Sequence, residues 1–200
     1  MAIVLTLIEH DRGKLAPASL DVLSEGRKLA AQLGAVLHSV TLGESADGLA
    51  SDASKFGAEV IHQVHHPLLR DYGPQAWGES VAQLAKSIGA DVIMATGTDR
   101  GNEVLAQVAA RMELPMVANC IELKPSAERW EVVRFRWGGS LWERSSLEAP
   151  VKILTLAPHQ VEAREYAGAG VLQAFEPVLD DSLRHTIVRT RVEVEQGCTL

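Results

Sequence analysis

The sequence has few cysteines, few aromatic residues and no apolar run long enough to cross a membrane. Its two cysteines, Cys120 and Cys198, are too few for a disulfide framework and fit a reducing compartment. No stretch approaches the roughly 20 apolar residues of a membrane span, and the first apolar run lacks a basic leader and a small-residue cleavage site. These absences predict a cytoplasmic protein without membrane insertion.

Basic residues are in the minority, which limits the partners to expect. Nineteen Lys and Arg residues stand against 26 Asp and Glu residues, so that the formal net charge is -7. Because no run of Lys or Arg could follow a phosphate backbone, nucleic acid is not expected as a partner. Hydrophobic residues make up 46% of the 200 positions, which predicts one substantial domain with a stable core and a short extension.

A recurring Gly-Ala step is the main signal of the fold in the first half of the chain. Three polar stretches with a helical pattern end at Gly34-Ala35, Gly57-Ala58 and Gly89-Ala90, and each leads into an apolar run. Glycine just past a helix adopts the left-handed conformation without a Cβ penalty, and a strand follows at once. With the apolar run at residues 3–8, this pattern predicts four strands alternating with helices, as in parallel βαβ units. Ligands are expected in the loops after these strands, which follow Ile8, Leu42, Val64 and Ala95.

The second half of the chain has a different pattern. The last helix of the first half is predicted to start near residue 103. After it, short strands are predicted at residues 117–123, 130–137, 141–145 and 151–156. Turn residues between them indicate that an antiparallel edge extends the sheet. From residue 158 onward a polar tail is predicted, with one strand-like piece at residues 186–194. The predicted fold class is α/β: a Rossmann-like three-layer sandwich with a mostly parallel sheet and antiparallel edge strands.

The loop after the fourth predicted strand combines glycines with hydroxyl and charged side chains. Its residues are Gly97, Thr98, Asp99, Arg100, Gly101 and Asn102. Glycines and backbone amides at a helix start can form a cradle for an anion or a nucleotide. An ordinary strand-to-helix connection capped by Thr98 or Asp99 has the same features, and the sequence favours it. The phosphate-loop, Gly-x-Gly-x-x-Gly and Ser-Gly-Gly motifs are missing, so nucleotide hydrolysis is not expected.

Three titratable residues follow the first predicted strand. Glu9, His10 and Asp11 include an acid and a base that could transfer protons. Neighbouring side chains in an extended chain diverge, however, so these residues are expected to fix the loop. No catalytic residue is therefore predicted.

Three histidines follow the third strand or lie within it. His62, His65 and His66 suggest a zinc site because imidazoles are common zinc ligands, and Asp71 lies nearby. His65 and His66 are sequential and run directly into Pro67, so an exposed strand-to-helix connection explains them without a metal. No metal site is predicted.

Tryptophans concentrate in the predicted antiparallel part of a chain that has only 4% aromatic residues. Trp130, Trp137 and Trp142 suit an interface, where indoles supply large contact area. Cross-strand packing within one domain would use them equally well. Arg134 and Arg136 favour a partner-facing edge. The candidate partner-contact residues are Arg134, Arg136, Trp137 and Trp142.

Three segments in register resemble the large (alpha) subunit of electron transfer flavoprotein. Residues 8–15, Ile-Glu-His-Asp-Arg-Gly-Lys-Leu, followed by Pro17, are similar to the first loop of that family. Residues 95–102 are similar to its fourth loop, and residues 134–140, Arg-Phe-Arg-Trp-Gly-Gly-Ser, resemble its Arg-Pro-x-Tyr-Ala-Gly-Asn hairpin. The resemblance covers residues 1–157 and implies the amino-terminal domain of that subunit, whose relatives share the fold of adenine-nucleotide alpha hydrolases.

The resemblance does not extend to the FAD-binding domain of the family. That domain begins with a strand and a Gly-Gly-Arg-Gly type loop, which this sequence lacks. Residues 158–200 are expected to be a linker or tail before the absent domain, so the chain is interpreted as a standalone, split or truncated form. Trp137 and Ser140 stand where Tyr and Asn are commoner in the family, and the partner-facing edge is expected to have diverged.

The resemblance implies an electron carrier domain without catalytic residues of its own. The complete assembly of the family accepts electrons from flavin dehydrogenases. It uses FAD, here mainly through the absent domain, and AMP in the beta subunit. Docking of the beta subunit is the role implied for this domain.

Two alternatives come from other classes of protein. A standalone adenine-nucleotide-binding module, similar to universal stress proteins, would hold its nucleotide with Leu7, Glu9 and residues 97–102. A metal hydrolase would use the three histidines. Nucleotide titration distinguishes the first alternative from a docking domain, and metal content distinguishes the second.

Overall fold

The computed structural model describes residues 1–127 and 129–192, in which a nine-stranded sheet is the central layer. The nine strands of the sheet are β1 (Ile3–Leu7), β4 (Val36–Leu42), β5 (Val60–Val64), β6 (Val92–Thr96), β7 (Met116–Lys124), β8 (Trp130–Arg136), β9 (Leu141–Leu147), β10 (Lys152–Leu156) and β11 (Val171–Phe175). A separate two-residue pair follows β1 and consists of β2 (His10–Asp11) and β3 (Lys14–Leu15). The α-helices are α1 (Ala18–Leu33), α2 (Ala50–Lys55), α3 (Pro74–Ile88) and α4 (Asp99–Met112), and short 3-10 helices lie at Glu44–Leu49, Pro67–Leu69 and Asp181–Thr186.

The sheet has the spatial order β11-β5-β4-β1-β6-β10-β7-β8-β9. Its strands are parallel from β11 to β7, and β8 and β9 add an antiparallel edge. Helices α1 and α2 pack on one face of the sheet, whereas α3 and α4 pack on the other. The predicted three-layer α/β sandwich with a mostly parallel sheet is confirmed.

Two of the three Gly-Ala steps cap helices as predicted, whereas α2 ends at Lys55 with Phe56, and not Gly57, as its C-cap. Gly34 and Gly89 adopt left-handed conformations, with φ of 62° and 67°, and each N–H bonds back to the carbonyls of its helix. An L-residue with a Cβ would be strained there, whereas glycine lets the chain turn directly into β4 and β6. The local sequence at these two positions therefore determines where a helix ends and where the next parallel strand begins.

The core lies on both faces of the central strands. Leu5, Ile93 and Ile153, on the adjacent strands β1, β6 and β10, are completely buried on the α3 side. Val4, Met94 and Leu154 fill the α1 side in the same way. Each such side chain contributes about 1.5–3 kcal/mol on burial, so the central strands anchor the loops at their ends. Within the described ranges, no helix has the length and apolar character needed to cross a bilayer.

The second half of the sheet corrects one prediction. The strand expected at residues 151–156 is not part of an antiparallel edge, because β10 lies between β6 and β7 and is parallel to both. The antiparallel edge is confined to the hairpin of β8 and β9, which joins β7. Insertion of β10 buries its apolar side chains on both faces, which an edge position would leave exposed.

The tail also differs from the prediction. Residues 171–175 form β11, a parallel edge strand on β5, where only a polar tail is expected. The strand predicted at residues 186–194 is absent over residues 186–192, because this segment crosses the α3 face instead of meeting a strand edge. The remainder of that predicted strand, and Cys198, lie outside the described residues. The division into a domain of residues 1–157 and a linker stays a prediction.

Candidate functional site

The crevice at the carboxyl end of the sheet forms where the chain changes direction. β1 pairs with β4 on one side and with β6 on the other. The helices that follow β1 and β6 pack on opposite faces of the sheet. In open α/β sheets this switch point is where ligands bind. Glu9 and residues 97–102 lie in the two loops that meet there.

Thr98 joins the two loops. Its hydroxyl donates a hydrogen bond to the Glu9 carboxylate and accepts one from the Gly101 N–H at 2.9 Å. Thr98 is therefore the N-cap of α4, which begins at Asp99 and not near residue 103. The structural interpretation of Thr98 as a helix cap is confirmed, and the carboxylate of Asp99 lies in the first turn, where the helix dipole favours it.

Arg100 ties α4 to the loop after β1. Its guanidinium donates to the His10 carbonyl oxygen at 3.2 Å and lies 3.3 Å from a carboxylate oxygen of Asp11. The same guanidinium stacks over the Tyr72 ring, 4.8 Å from its centroid. Partial desolvation would raise the pKa of Asp11, but hydrogen bonds from Arg12 and Arg100 lower it below its usual value. Asp11 therefore stays ionised and holds the loop in place.

The two glycines of the loop lie where the chain packs against itself. A Cβ on Gly97 would lie 2.2 Å from Asn119 Oδ1, and a Cβ on Gly101 would lie 1.9 Å from the Thr96 carbonyl oxygen. These distances leave no room for a side chain, so internal packing accounts for both glycines without a ligand. Gly101→Val would disturb the fold and cannot serve as a probe of nucleotide binding. Nucleotide binding by Glu9 and residues 97–102 stays a prediction.

A polar network behind the loop is not evident from the sequence. Asn102 donates to Asn119 Oδ1 at 3.4 Å and accepts from the Thr155 hydroxyl at 2.7 Å, and Thr155 Oγ1 accepts from the Asn119 N–H at 2.9 Å. These bonds connect α4, β7 and β10. Asn119 has a positive φ of 58°, which Asn tolerates better than most residues. The only sequence signal for this network was Asn119, an asparagine within a strand of mainly apolar residues.

The residues after β1 have separate partners. His10 is buried, and its Nε2 donates to the Leu42 carbonyl oxygen at 2.9 Å while its Nδ1 accepts from the Gly13 N–H at 3.2 Å. Burial lowers the pKa of His10, which keeps the ring neutral in this arrangement. Glu9 contacts Thr98 and Asp11 contacts Arg100. The three side chains thus do not converge on one atom, as expected for neighbours in an extended chain.

The three histidines considered as metal ligands also have different partners. His62 Nε2 lies 2.9 Å from His38 Nδ1, and His65 Nε2 lies 2.8 Å from a carboxylate oxygen of Asp47. His66 accepts a hydrogen bond from the main-chain N–H of the 3-10 helix that follows it. Over residues 1–127 and 129–192, no group of three or more His, Cys, Asp or Glu side chains is placed to hold a metal ion.

The candidate partner-contact residues lie in the β8–β9 hairpin but on different sides of it. Arg134 and Arg136 share Glu143, with nitrogen–oxygen distances of 2.7 Å and 3.1 Å. Trp142 pairs across the strands with Phe135, and since successive side chains of a strand alternate, it points away from these arginines. Trp137, in the turn, is 78% exposed and Trp142 is 72% exposed.

Trp130 belongs to the core and not to the exposed part of the hairpin. It is only 4% exposed and packs on the α1 side of the sheet. Packing within the domain therefore explains Trp130, whereas a partner contact of Trp137 and Trp142 stays a prediction. The two exposed indoles leave contact area available.

Comparison with known proteins finds a matching family and several relatives. The family described as electron transfer flavoprotein domain matches residues 4–179. The chain is 30% identical over 115 residues to the electron transfer flavoprotein subunit alpha of Thermoanaerobacterium thermosaccharolyticum, which covers 58% of this chain and 35% of that protein. It is 30% identical over 142 residues to the protein FixB of Azorhizobium caulinodans, covering 69% and 38% of the two chains.

A third relative is named as an electron transfer subunit of a reductase. The acryloyl-CoA reductase electron transfer subunit beta of Anaerotignum propionicum is 27% identical over 144 residues, which is 72% of this chain and 39% of that protein. The chain spans from 35% to 39% of the length of these three relatives. Because the family match extends through both halves of the sheet, from β1 to beyond β11, the chain belongs to the electron transfer flavoprotein family.

Proposed function

We propose that this chain is a docking domain for flavin-mediated electron transfer, equivalent to the amino-terminal domain of an electron transfer flavoprotein alpha subunit. The observation that carries the proposal is the family match over residues 4–179. Relatives named as the alpha subunit and as an electron transfer subunit of a reductase support it. In this proposal the domain acts by protein contact, and electrons reach its assembly from flavin dehydrogenases.

The residues at the switch point do not fit a flavin. The groups that could bind one already have partners in the chain, since Thr98 bonds Glu9 and Gly101 while Asn102 bonds Thr155. The two loop glycines approach the chain's own atoms, so they leave no cradle for a cofactor. We therefore place FAD mainly on another domain of the assembly, and any AMP on the beta subunit. The role of this domain would be to position the partner subunit next to the flavin.

The β8–β9 hairpin is the surface that we assign to the beta subunit. Trp137 and Trp142 are large, exposed and apolar, and such side chains dominate interface energetics when they become buried. Arg134 is already engaged by Glu143, so its charge is expected to order the hairpin more than to attract a partner. Arg136 is about half exposed and can extend the contact at its rim.

Sedimentation velocity tests this assignment. The chain is mixed with the beta subunit and the FAD-binding domain from the same organism, and association is measured for the wild type and for a Trp137→Ala/Trp142→Ala variant. We expect the wild type to associate and the variant to bind at least about tenfold more weakly. Tyr166→Ala is the matched control because Tyr166 is another exposed aromatic residue, 54% exposed and outside the hairpin.

Two results would count against the proposal in different ways. If the wild type associates with neither partner, the docking function itself is wrong. If the wild type associates and the tryptophan and tyrosine variants bind equally well, the function stands but the hairpin is the wrong surface.

A further inference from the structure

Residues 176–191, named here the strap, cross the outside of α3 after leaving the sheet. The strap starts after β11 at the β5 edge, contacts α3 through the 3-10 helix Asp181–Thr186, and reaches the loop after β1. It therefore runs from one side of the sheet to the switch point without joining the sheet. Its contacts with the domain are of two kinds, polar attachments at its two ends and apolar contacts between them.

The first polar attachment is made by Gln83 of α3. The Gln83 side-chain amide donates to the Val178 carbonyl oxygen at 2.8 Å, and its oxygen accepts from the Val178 N–H at 2.9 Å. This pair satisfies both main-chain groups of Val178, as a neighbouring strand would. The Val178 side chain itself is exposed.

The second polar attachment is made by Arg191 at the other end. Its Nε lies 2.7 Å from one carboxylate oxygen of Asp71, and its Nη2 lies 2.5 Å from the other. Arg191 Nη2 also lies 3.8 Å from Asp11, which is bound by Arg12 and Arg100. Arg191 is 40% exposed and Asp71 is 19% exposed, so the bidentate pair remains partly screened by salt.

Between these attachments the strap is held by apolar side chains. Leu179, Leu183 and Ile187, each four positions after the previous one, belong to or pack against the apolar cluster on the α3 side of the sheet. Ile187 packs closely on the chain just before α3, 3.1 Å from where a Cβ on Gly73 would lie. The strap thus covers apolar surface that would otherwise meet water.

Few main-chain hydrogen bonds fix the strap, which distinguishes it from the strands. Among the described residues, the hydrogen bonds of its backbone reach the rest of the domain only through Gln83, and the Leu183 N–H bonds within the strap itself. By contrast, β1 and β6 are bonded to strands on both sides. Segments with few such bonds open at lower free energy than the core.

We propose that the strap opens from α3 as a unit while the sheet stays folded, with the Arg191–Asp71 ion pair as its latch. Opening exposes the apolar surface that Leu179, Leu183 and Ile187 cover in the closed form. The strap is independent of the β8–β9 hairpin, which lies at the other edge of the sheet.

Hydrogen exchange of the full chain, measured by mass spectrometry, tests the proposal. In the wild type we expect two hydrogen-bonded amides of the strap, those of Val178 and Leu183, to exchange faster than the amides of β1 and β6, because a hydrogen-bonded amide needs opening to exchange and the strap opens at lower free energy. We expect Arg191→Ala to speed exchange of these strap amides by about fivefold, the size expected for a partly exposed bidentate ion pair. Exchange in β1 and β6 should not change.

Arg184→Ala is the matched control. Arg184 pairs with Asp181 at 2.6 Å, but both residues belong to the strap, so this pair does not attach it to the domain. The latch assignment is overturned if Arg184→Ala and Arg191→Ala have equal effects. Independent opening is overturned if strap peptides of the wild type exchange only as slowly as β1 and β6, at both low and high salt.

Discussion

At the scale of single residues, the pair formed by buried His62 and partly buried His38 makes folding depend on pH. Burial lowers the pKa of both rings, and burial together with the nearby His38 ring lowers that of His62 to about 4. The unfolded chain takes up protons on histidine near pH 6.5, so between these values the folded state binds fewer protons. We expect full stability above pH 6.5 and a loss of about 2 kcal/mol at about pH 5.

Urea denaturation at about pH 5 and about pH 7.5 measures this effect. His62→Gln should reduce the difference in unfolding free energy between the two conditions, even if it lowers stability at both, and His10 and His38, whose pKa values are also lowered by burial, account for the remainder. His185→Gln is the control because His185 is exposed and should leave the difference unchanged. An undiminished pH dependence in His62→Gln would show that other groups cause it.

Single residues also show where sequence reasoning reaches its limit. Thr98 was predictable as a cap because its partner is three positions away, at Gly101. The contact of Gly97 with Asn119 joins residues from different elements, and no local pattern indicates it. The pairing of His38 with His62 depends on the register of β4 and β5, which the sequence does not specify.

At the scale of elements, the start of α4 depends on one hydroxyl. Thr98 satisfies the Gly101 N–H and also donates to Glu9. Thr98→Ala removes both bonds, so we expect it to lower the free energy of unfolding by about 1–2 kcal/mol. Thr98→Ser keeps a hydroxyl in the same place and should cost much less. Urea unfolding of the wild type and both variants is the measurement.

The comparison of the two variants decides the role of the hydroxyl. Equal destabilisation by Ala and by Ser would mean that the Thr98 methyl group, and not the cap, holds the element in place. A neutral Thr98→Ala would mean that α4 is fixed by its buried face alone, which packs on the sheet through Val104, Leu105 and Val108.

The elements that could be predicted are those with signals inside their own sequence. The helices ending at Gly34 and Gly89, and the strands that follow them, carry such signals. β10 has an apolar sequence, but its place between β6 and β7 depends on strands distant in the chain. β11 is exposed on most of its length, so it lacks the apolar alternation by which a half-buried strand is detected.

At the scale of the whole molecule, the family could be inferred from motifs in register, and its match over residues 4–179 confirms the inference. The residues that form the binding surfaces were harder to predict from the sequence. Two arginines proposed as contacts are ion-paired to Glu143, and only the structure shows that the indoles of Trp137 and Trp142 stay exposed. Side-chain pairing across strands decides which groups remain available to a partner.

The absorption spectrum of the purified chain tests whether this domain binds a flavin by itself. Thr98 and Asn102 are partnered inside the chain, and Gly97 lies against Asn119, so the crevice offers little to an isoalloxazine ring. We therefore expect no flavin band near about 450 nm in the isolated chain, and a band only when the FAD-binding domain is added. A band from the isolated chain that is released by heat would instead make this domain a flavin carrier. Released absorbance near about 260 nm without that band would favour adenine-nucleotide binding at Glu9 and residues 97–102.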